Sequence, residues 1–517
     1  MHKRTLMFIT SALMVSVLAG CGSTSSQTST PSNSEDPTTS DGNSTIPSEP
    51  DFEVPTATIR FWTGFGGAVN GVLEPMLEDF QEKYPSIDVL YETQGGYDNL
   101  KQAIDLSVAN QSFPHIANGY PDHFASYINS NIMKPINNYI DNPDYGVDID
   151  DFYQDYLNEN QNLFPGVTMG LPFNKSTEIM VANQSFFEVM NYLDNTVKVP
   201  ETWDELATIG ARVKVLAKQE GYFGKIVVEK DGGGYEAVSV DDVGEAKVMF
   251  DFTRVTEANF VPFNWDSTDN FFITLVRQWG GVYTEKGDNI REGYIRFDSQ
   301  AVVDGLTFIK NLGDARILGI PTTHGEALFA STPFKHGKTV LTISSSAGVQ
   351  ENIPDTMDYP FDVSIHPILY RDANHKYVIS QGTNLGLFNR RNADEELASW
   401  LLLRYLTVER NAEFSRKTSY FPVTKTAQES EEYQNFLNGD TTNYTAKQVS
   451  VLGTAITNND DYMDAEKEWI KFVDPAFVGS SQIRDEVSYI IGKVLQGITP
   501  QKAIDEAYGR LGNYIEK

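Results

Sequence analysis

Residues 57–108 read ATIRFWTGFGGAVNGVLEPMLEDFQEKYPSIDVLYETQGGYDNLKQAIDLSV and alternate strand patterns with helix patterns. Ile59 and Phe61 belong to an alternating apolar run that predicts a strand, and the glycines after it end that strand. Apolar residues at helical spacing then predict a helix that stops before Pro85. A second strand and a second helix follow. This order is typical of a parallel sheet covered by helices on both faces.

The same alternation continues to the C-terminus. Thr202 and Glu205 form a capping-box pattern ahead of a helix, residues 338–344 form a β-rich run, and residues 397–405 show amphipathic helical spacing. Thr499 precedes a proline that opens a last predicted helix. A chain of 517 residues exceeds the size at which one core keeps growing. We therefore predict an α/β fold with two lobes.

The N-terminus has the pattern of a secretory signal peptide. Basic residues 2–4 precede the apolar stretch 6–18, and small residues lead to Cys21, the one cysteine of the chain. The apolar stretch makes about 20 Å of helix, which is too short for a bilayer core of about 30 Å. We predict a signal peptide over residues 1–20 and a disordered Ser/Thr-rich tether over residues 21–55.

The run Leu18-Ala19-Gly20-Cys21 resembles the lipobox of bacterial lipoproteins. The resemblance implies cleavage before Cys21, acylation of its thiol and a lipid anchor on the extracytoplasmic face of the cell membrane. An unmodified secreted protein with a free thiol is the alternative. Elsewhere no sequence segment approaches 18 continuous apolar residues, so we expect membrane attachment through the N-terminal lipid only.

The composition excludes several partners and cofactors. The chain has 71 Asp and Glu against 40 Lys and Arg, which gives a formal net charge of −31. A negative field repels nucleic acid and anionic lipid, so neither is a predicted partner. With Cys21 acylated, no thiol remains for a metal site, and the seven histidines form no local cluster. We expect no metal and no cofactor.

Catalytic motifs are incomplete. The run Gly337-Lys338-Thr339 ends like a phosphate loop, but Thr332 stands where that loop requires glycine. Gly64-Phe65-Gly66 lacks the third glycine of a dinucleotide fingerprint, because Val69 occupies its position. Acidic pairs are so abundant that no pair marks a glycosidase. We predict a protein that is not an enzyme. The alternatives are a surface-anchored polysaccharide hydrolase or lyase, and an adhesion or sensor lipoprotein.

Several short phrases occur in a characteristic order along the chain. They are FWT (61–63), GGYD (95–98), GLPFNKST (170–177), VPETWDEL (199–206), PFKHGK (333–338), SSSAG (344–348), QGTN (381–384), TSYFPV (418–423) and QIR (482–484). Together they resemble the extracellular solute-binding proteins, family 1, of carbohydrate ABC importers. Within that family the glycerol-3-phosphate-binding branch looks most similar.

The resemblance implies a two-lobed, periplasmic-binding-protein-like (type II) fold. Each lobe is then a sheet flanked by helices, and the ligand lies in the cleft between the lobes. We assign residues 56–172 plus 380–423 to lobe 1 and residues 173–379 plus 424–517 to lobe 2. The resemblance also implies a monomer that closes on its solute and delivers it to the transmembrane subunits of an ABC permease.

The family's ligand contacts fall on Tyr97, Ser176, Ser345 or Ser346, Gly382, Tyr420 and Arg484. Arg484 would grip two oxygens of an anion, the serines would donate, and Gly382 would let a backbone N–H approach the ligand. The two tyrosines would offer flat faces, and Trp265 is a further candidate platform for a sugar. Each has an alternative: a helix cap for Tyr97, a carboxylate partner for Arg484 and core packing for Trp265.

The sequence departs from the glycerophosphate branch at one ligand position. That branch places a glutamate seven positions after the proline that matches Pro114, but Pro121 stands there and Asp122 follows it. Either Asp122 replaces the glutamate or the hydroxyl end of the ligand differs. Segments 231–242 and 438–462 also have no counterpart that we recognise. The predicted ligand is a carbohydrate or a polyol phosphate.

Overall fold

A computed structural model describes residues 52–439 and 445–512. The predicted signal peptide, Cys21 and most of the predicted tether lie outside the described residues, as do residues 440–444 of the second insertion. The described chain begins at Phe52, whose ring contacts that of Tyr145 edge to face at 5.3 Å. In residues 52–439 and 445–512 no helix is long and apolar enough to span a bilayer.

The strands of the described residues are mostly short, but two of them are long. They are β1 (Ala57–Thr63), β2 (Ile87–Thr93), β3 (Ile116–Gly119), β4 (Met133–Lys134), β5 (Gly170–Asn183), β6 (Ile226–Glu229), β7 (Tyr235–Val238), β8 (Val248–Asp251), β9 (Phe263–Trp265), β10 (Thr284–Lys286), β11 (Gly293–Ile295), β12 (Leu318–Gly319), β13 (Leu341–Ser345), β14 (Val363–His366), β15 (Tyr377–Phe388) and β16 (Ile470–Phe472).

Helices alternate with these strands and follow one another near the C-terminus. They are α1 (Gly67–Lys83), α2 (Tyr97–Ser107), α3 (Pro121–Asn129), α4 (Asn137–Ile140), α5 (Gln154–Gln161), α6 (Gln184–Leu193), α7 (Trp203–Gln219), α8 (Thr268–Gln278), α9 (Gln300–Asp314), α10 (Ser331–Lys335), α11 (Ala393–Arg404), α12 (Asn411–Thr418), α13 (Lys425–Glu429), α14 (Glu431–Leu437), α15 (Ala446–Ala455), α16 (Ser480–Leu495) and α17 (Pro500–Leu511).

The local sequence patterns predict these elements well. The two strands and two helices predicted within residues 57–108 are β1, α1, β2 and α2, and β1 pairs in parallel with β2 and with β3. The capping box is present at the start of α7: the Thr202 hydroxyl accepts from the Glu205 N–H at 3.2 Å. The last helix begins at Pro500, as predicted.

The main sheet is mixed rather than purely parallel. Its strand order is β12-β9-β13-β5-β15-β3-β1-β2, with β14 also paired to β5 and with β4 and β16 paired to β15. The expectation of a parallel sheet is therefore wrong for its centre, because β5 and β15 run antiparallel to each other and β15 runs antiparallel to β3. Two smaller sheets, β10-β11 and β7-β6-β8, complete the described strands.

Strands β5 and β15 pass from one half of the molecule to the other. The first part of β5, Gly170 to Thr177, pairs with β15, and its second part pairs with β13 and β14. In the same way β15 pairs with β16 at its start and with β3 and β4 at its end. These two strands therefore connect two separate groups of secondary structure.

Buried apolar side chains form two large cores, one on each side of the crossing strands. Members of the first core include Ile59, Phe61, Leu73, Phe80, Phe173, Leu385, Trp400 and Val423. Members of the second core include Ile179, Trp203, Phe271, Ile343, Val378, Ile379 and Val487. Along β5 the membership changes between Phe173 and Ile179, and along β15 it changes between Ile379 and Leu385.

Candidate functional site

The crossing strands present a row of polar side chains between the two cores. Successive residues of a strand point to opposite faces, so Asn174, Ser176 and Glu178 share one face of β5 while Lys175 lies on the other. We call the face of β5 that carries Asn174, Ser176 and Glu178 the cleft face. Apolar residues would be typical of such a buried strand, so this row of polar side chains is a candidate for contact with a polar solute.

Two of the predicted tyrosines meet at this face. Tyr97 begins α2, and its hydroxyl accepts a hydrogen bond from Asn174 Nδ2 at 3.1 Å. Burial, together with the neighbouring Tyr420, raises the pKa of Tyr97 above its ordinary value. Tyr420 stacks nearly parallel on Phe414 at 5.9 Å, and Tyr120 meets the Tyr97 ring edge to face at 5.1 Å. The structure thus places Tyr97 and Tyr420 side by side.

The predicted serines divide into two roles. The Ser345 hydroxyl donates to Ser176 Oγ at 3.3 Å, and Ser176 in turn lies 3.5 Å from Gln381 Oε1. These bonds are long, so the Ser176–Ser345 pair keeps capacity for another partner. Ser346 is buried, and its Oγ accepts the backbone N–H of Thr177 at 3.3 Å. Ser346 therefore holds β5 in place and does not face the cleft.

Glycine is required at position 382 for packing of the two crossing strands rather than for ligand binding. Its φ is +97°, and a Cβ atom there would lie 1.9 Å from the Asn174 carbonyl oxygen. Only glycine tolerates both the left-handed backbone and this close approach of β15 to β5. Its carbonyl faces the ammonium group of Lys175 at 3.4 Å. The expectation that Gly382 is open to let a ligand approach its backbone is therefore corrected.

Arg484 does not present a free guanidinium to a ligand. Its Nε donates to Asp269 at 2.6 Å, its Nη1 donates to Asp474 at 2.6 Å, and its Nη2 donates to Asn270. Burial disfavours the cation, but the two carboxylates outweigh that effect and raise the pKa of Arg484. The bidentate grip on an anion predicted for Arg484 is replaced by internal carboxylate partners.

The remaining two candidates differ in position. Asp122 is the second residue of α3, where its Oδ1 accepts the N–H of His123 at 2.9 Å, and its negative charge contributes to the raised pKa of Arg484. Trp265 is fully buried between Phe271, at 4.4 Å, and Trp203, at 5.9 Å. Trp265 therefore has no face for a sugar, which corrects its assignment as a platform, and its N–H donates to Glu178 at 2.8 Å.

Sequence reasoning missed several residues that contact the predicted ones. They are Asn174, Glu178 and Gln381 on the crossing strands, Tyr120 beside Tyr97, and Asp269 and Asp474 beside Arg484. Asn174 and Glu178 share a strand with Ser176 at a spacing of two, so the period of a strand could have found them. Asp269 and Asp474 lie 215 and 10 residues from Arg484 along the chain. No local pattern links the first of these pairs.

Comparison with known families identifies the fold. The family model described as bacterial extracellular solute-binding protein matches residues 75–438, which is more than half of the chain. The chain belongs to this family. The predicted function class, a solute-binding protein of an importer that acts outside the cytoplasm, is confirmed at this level.

Individual relatives agree with the family assignment. The sn-glycerol-3-phosphate-binding periplasmic protein UgpB of Escherichia coli K12 is 21% identical over 388 residues, which cover 73% of this chain and 77% of that protein. Among solved structures, UgpB from Mycobacterium tuberculosis in complex with glycerophosphocholine matches with a TM-score of 0.65 at 16% identity, covering 89% of this chain and 98% of that one.

A second solved structure supports the same fold. Maltose-bound MalE3 of T. maritima matches with a TM-score of 0.62 at 15% identity, covering 89% of this chain and 100% of that one. At such identities the likeness concerns the fold alone. It confirms the two-lobed, periplasmic-binding-protein-like α/β fold that the sequence predicts.

Proposed function

We propose that this protein captures a carbohydrate or a polyol phosphate outside the cell and delivers it unaltered to the permease of an ABC importer. Members of its family bind solutes, and the absence of a complete catalytic motif in the sequence is in keeping with that role. The named relatives bind sn-glycerol-3-phosphate and maltose, and these two ligand classes bracket the proposal.

One observation carries the proposal: polar groups from both lobes converge where β5 and β15 cross. Tyr97 and Tyr120 come from α2 and the start of α3, whereas Ser345 comes from the end of β13. A solute that contacts both sets stabilises the closed arrangement by its differential affinity for that state. Binding then closes the cleft. The closed, loaded form differs in shape from the open, empty form, so a permease can distinguish the two.

The lobe boundaries are part of the proposal. We place lobe 1 at residues 56–172 plus 380–423 and lobe 2 at residues 173–379 plus 424–517. The change of core membership along β5 and β15 supports these limits to within a few residues. A hinge confined to two strands and one further crossing segment, near the bridge between Lys175 and Phe421, suits rotation of one lobe against the other.

The experiment uses the chain from residue 21 onward with the substitution Cys21→Ser, so that no lipid is required. Neutral oligosaccharides, amino sugars and phosphorylated polyols, including glycerol-3-phosphate, are screened for thermal shifts, and the same mixtures are analysed chromatographically. We expect at least one solute to raise Tm and to be recovered unchanged. Cleavage products would favour the hydrolase or lyase instead, and a panel without any thermal shift would contradict the proposal.

We also propose that Cys21 is acylated and anchors a monomer to the outer face of the cell membrane. Metabolic labelling with an alkyne analogue of palmitate in a bacterial host should label the wild-type chain and leave the Cys21→Ser variant unlabelled. Equal labelling of both chains, or of neither, would contradict the anchor.

A further inference from the structure

One edge of the second-lobe sheet lies at the proposed cleft. Strands β12, β9 and β13 run parallel to one another, so their carboxyl ends meet at the same edge of the sheet. Ser345 ends β13 at this edge and pairs with Glu178 of the antiparallel strand β5. In open α/β sheets, ligands bind outside the carboxyl ends of the strands. The loops that leave this edge are therefore placed to contact a solute.

The rim loop, residues 320–330, leads from the end of β12 along this edge to α10. It begins with a turn of 3-10 helix, Pro321–His324, and the Glu326 N–H donates to the Pro321 carbonyl at 3.1 Å. At the other end of the loop, the Ala330 N–H donates to Asp266 Oδ1 at 2.8 Å. The loop is thus fixed at both ends, and residues 327–329 form its exposed tip.

Two neighbouring residues of this tip are apolar and strongly exposed. Leu328 is 68% exposed and Phe329 is 63% exposed. The other large apolar side chains of the described residues that are more than half exposed stand singly along the chain; they are Leu106, Tyr192, Val240 and Tyr489. Single exposed apolar residues are ordinary, whereas an apolar patch beside a binding groove marks a contact surface. We call Leu328 and Phe329 the apolar pair.

A hydrogen-bond acceptor lies beside the apolar pair. Asp266 is partly exposed, and its Oδ1 accepts from the Ala330 N–H and, at 3.1 Å, from Asn264 Nδ2. No described residue donates to its other oxygen, Oδ2, which can therefore accept from a hydroxyl group. A sugar ring carries hydroxyl groups around its rim and C–H groups on its faces. A carboxylate oxygen next to an aromatic ring matches both surfaces.

The apolar pair lies beyond the serines of the cleft face. The Asp266 N–H donates to the carbonyl of Ile343, on the neighbouring strand β13, at 3.0 Å. Ser345 follows two residues later on that strand, and neighbouring strands lie about 5 Å apart, which is close to the width of a pyranose ring. A solute held by Ser345 and Ser176 must therefore extend beyond a single ring to contact Asp266 and Phe329.

The apolar pair is too small to be a protein interface by itself. Two such side chains expose on the order of 250 Å². Each partner of a stable protein complex buries about 800 Å². A patch of this size is sufficient for one sugar ring.

We infer that the cleft binds an oligosaccharide, and that the rim loop holds the sugar unit farthest from the crossing strands. Phe329 and Leu328 cover the apolar face of that unit, and Asp266 Oδ2 accepts from its hydroxyl groups. This inference rests on the proposed solute-binding role and narrows its solute class. A monosaccharide or a polyol phosphate bound at the serines leaves the apolar pair uncovered. Chain extension then adds buried apolar area and one hydrogen bond.

The first test compares solutes of increasing length by isothermal titration calorimetry on the chain from residue 21 with Cys21→Ser. Malto-, cello-, manno- and galacto-oligosaccharides of one to four units are titrated alongside glycerol-3-phosphate, and weak monosaccharide binding is measured by competition. In the series that binds, we expect affinity to rise about tenfold from the monosaccharide to the trisaccharide. Glycerol-3-phosphate should bind more weakly than the trisaccharide.

The Phe329→Ala variant tests the rim loop directly, with Tyr489→Ala as its matched control. Tyr489 is 60% exposed on α16, outside the rim loop, so each variant removes one exposed aromatic ring. Phe329→Ala should weaken trisaccharide binding about tenfold and leave monosaccharide binding unchanged. Tyr489→Ala should change neither affinity. Both variants should keep the wild-type Tm, because both rings are exposed.

The outcomes separate this inference from the proposed function. A monosaccharide or glycerol-3-phosphate that binds as tightly as the trisaccharide overturns the oligosaccharide assignment while the solute-binding role stands. A Phe329→Ala variant that keeps the wild-type trisaccharide affinity, or that loses mono- and trisaccharide affinity equally, overturns the role of the rim loop. A panel in which no solute binds overturns the solute-binding role, and this inference with it.

Discussion

The two faces of strand β5 use polar residues in opposite ways. On the face away from the cleft, Lys175 is fully buried and paired with Glu159, and the Ser380 hydroxyl donates to the same carboxylate at 3.4 Å. On the cleft face, Ser176 makes only long bonds, and Glu178 Oε2 is among the described atoms that lack a partner. Within four residues of one strand, the side chains thus change from fully paired to having hydrogen-bonding groups that lack a strong internal partner.

The difference separates stability from function. A buried charge whose partner is present in the chain contributes to the folded state, and its loss leaves an unpaired charge. A polar group without an internal partner contributes little to folding and is available to a solute. Substitution of Lys175 on the face away from the cleft should therefore change stability above all, and substitution of the hydroxyl groups on the cleft face should change affinity above all. Glu178 is an exception on the cleft face, because it is buried, ionisable and bonded to Trp265.

The largest effect is expected for Lys175→Met, on the face of β5 away from the cleft. Removing the cation leaves Glu159 buried without its partner, which should cost about 3–5 kcal/mol of unfolding free energy. Urea denaturation followed by circular dichroism measures it. Lys218→Met is the control, because it breaks an exposed pair with Glu257 and should cost no more than about 1 kcal/mol. Equal losses in the two variants would contradict the contrast between the faces.

Lys471 on β16 should make the folded protein more stable as the pH rises in alkaline solution. Burial lowers the pKa of Lys471 to about 8, and its ammonium group lies over the rings of Tyr156 and Phe421. Between pH 8 and the ordinary lysine pKa of 10.5 the unfolded chain holds a proton that the folded chain has released, so stability rises with pH. Lys471→Met should lack this rise. Parallel Tm curves for both proteins would contradict the prediction.

Glu178, on the cleft face, should act in the opposite sense at lower pH. Burial raises its pKa from 4.5 to about 8. The folded chain then holds a proton that the unfolded chain has lost, so its stabilising effect is complete below pH 4.5 and is lost as pH rises through 8. Glu178→Gln should gain stability relative to wild type across this window. A Tm difference that stays constant from pH 4.5 to 8 would show that Glu178 is not buried as an acid.

The smallest and sharpest contrast is between two neighbouring serines. Ser345→Ala should weaken solute binding by roughly tenfold, since it removes one donor from the cleft, and should also cost about 1 kcal/mol of stability because the Ala347 N–H loses its acceptor. Ser346→Ala should cost a similar amount of stability, because the Thr177 N–H loses its acceptor, but should leave the affinity unchanged. Titration calorimetry and thermal denaturation of both variants measure this pair. A Ser346→Ala variant that loses affinity at unchanged stability would reverse their roles.

The parts of the fold that follow from the sequence are those with local patterns. The β1–α2 segment, the capping box at Thr202 and the last helix at Pro500 each depend on residues a few positions apart. The crossing strand β5 carries no such pattern, since Asn174, Lys175 and Glu178 are all buried. Their side-chain partners lie 77, 16 and 87 residues away along the chain. Period and propensity do not reveal that kind of burial.

The predicted site shows the same division. Tyr97, Ser176, Ser345 and Tyr420 lie together at the cleft face, which family phrases locate because they keep their order along the chain. Arg484 is predicted from the same family resemblance and Trp265 from its residue type, and tertiary partners change both assignments: Asp269 accepts from the arginine, and Phe271 covers the tryptophan. The type of a side chain determines which groups it can bind, but its neighbours in the fold determine which of its hydrogen-bonding atoms remain available to a solute.

Closure of the two lobes around a solute is measured most directly as a distance between them. Leu106 on α2 and Val215 on α7 are exposed, so each can be replaced by cysteine for spin labelling. With the substitution Cys21→Ser, these two introduced cysteines are the only thiols in the chain. Double electron–electron resonance should show a shorter and narrower distance distribution when the tightest-binding solute of the panel is saturating. An unchanged distribution at calorimetrically verified saturation would contradict closure and the account that depends on it.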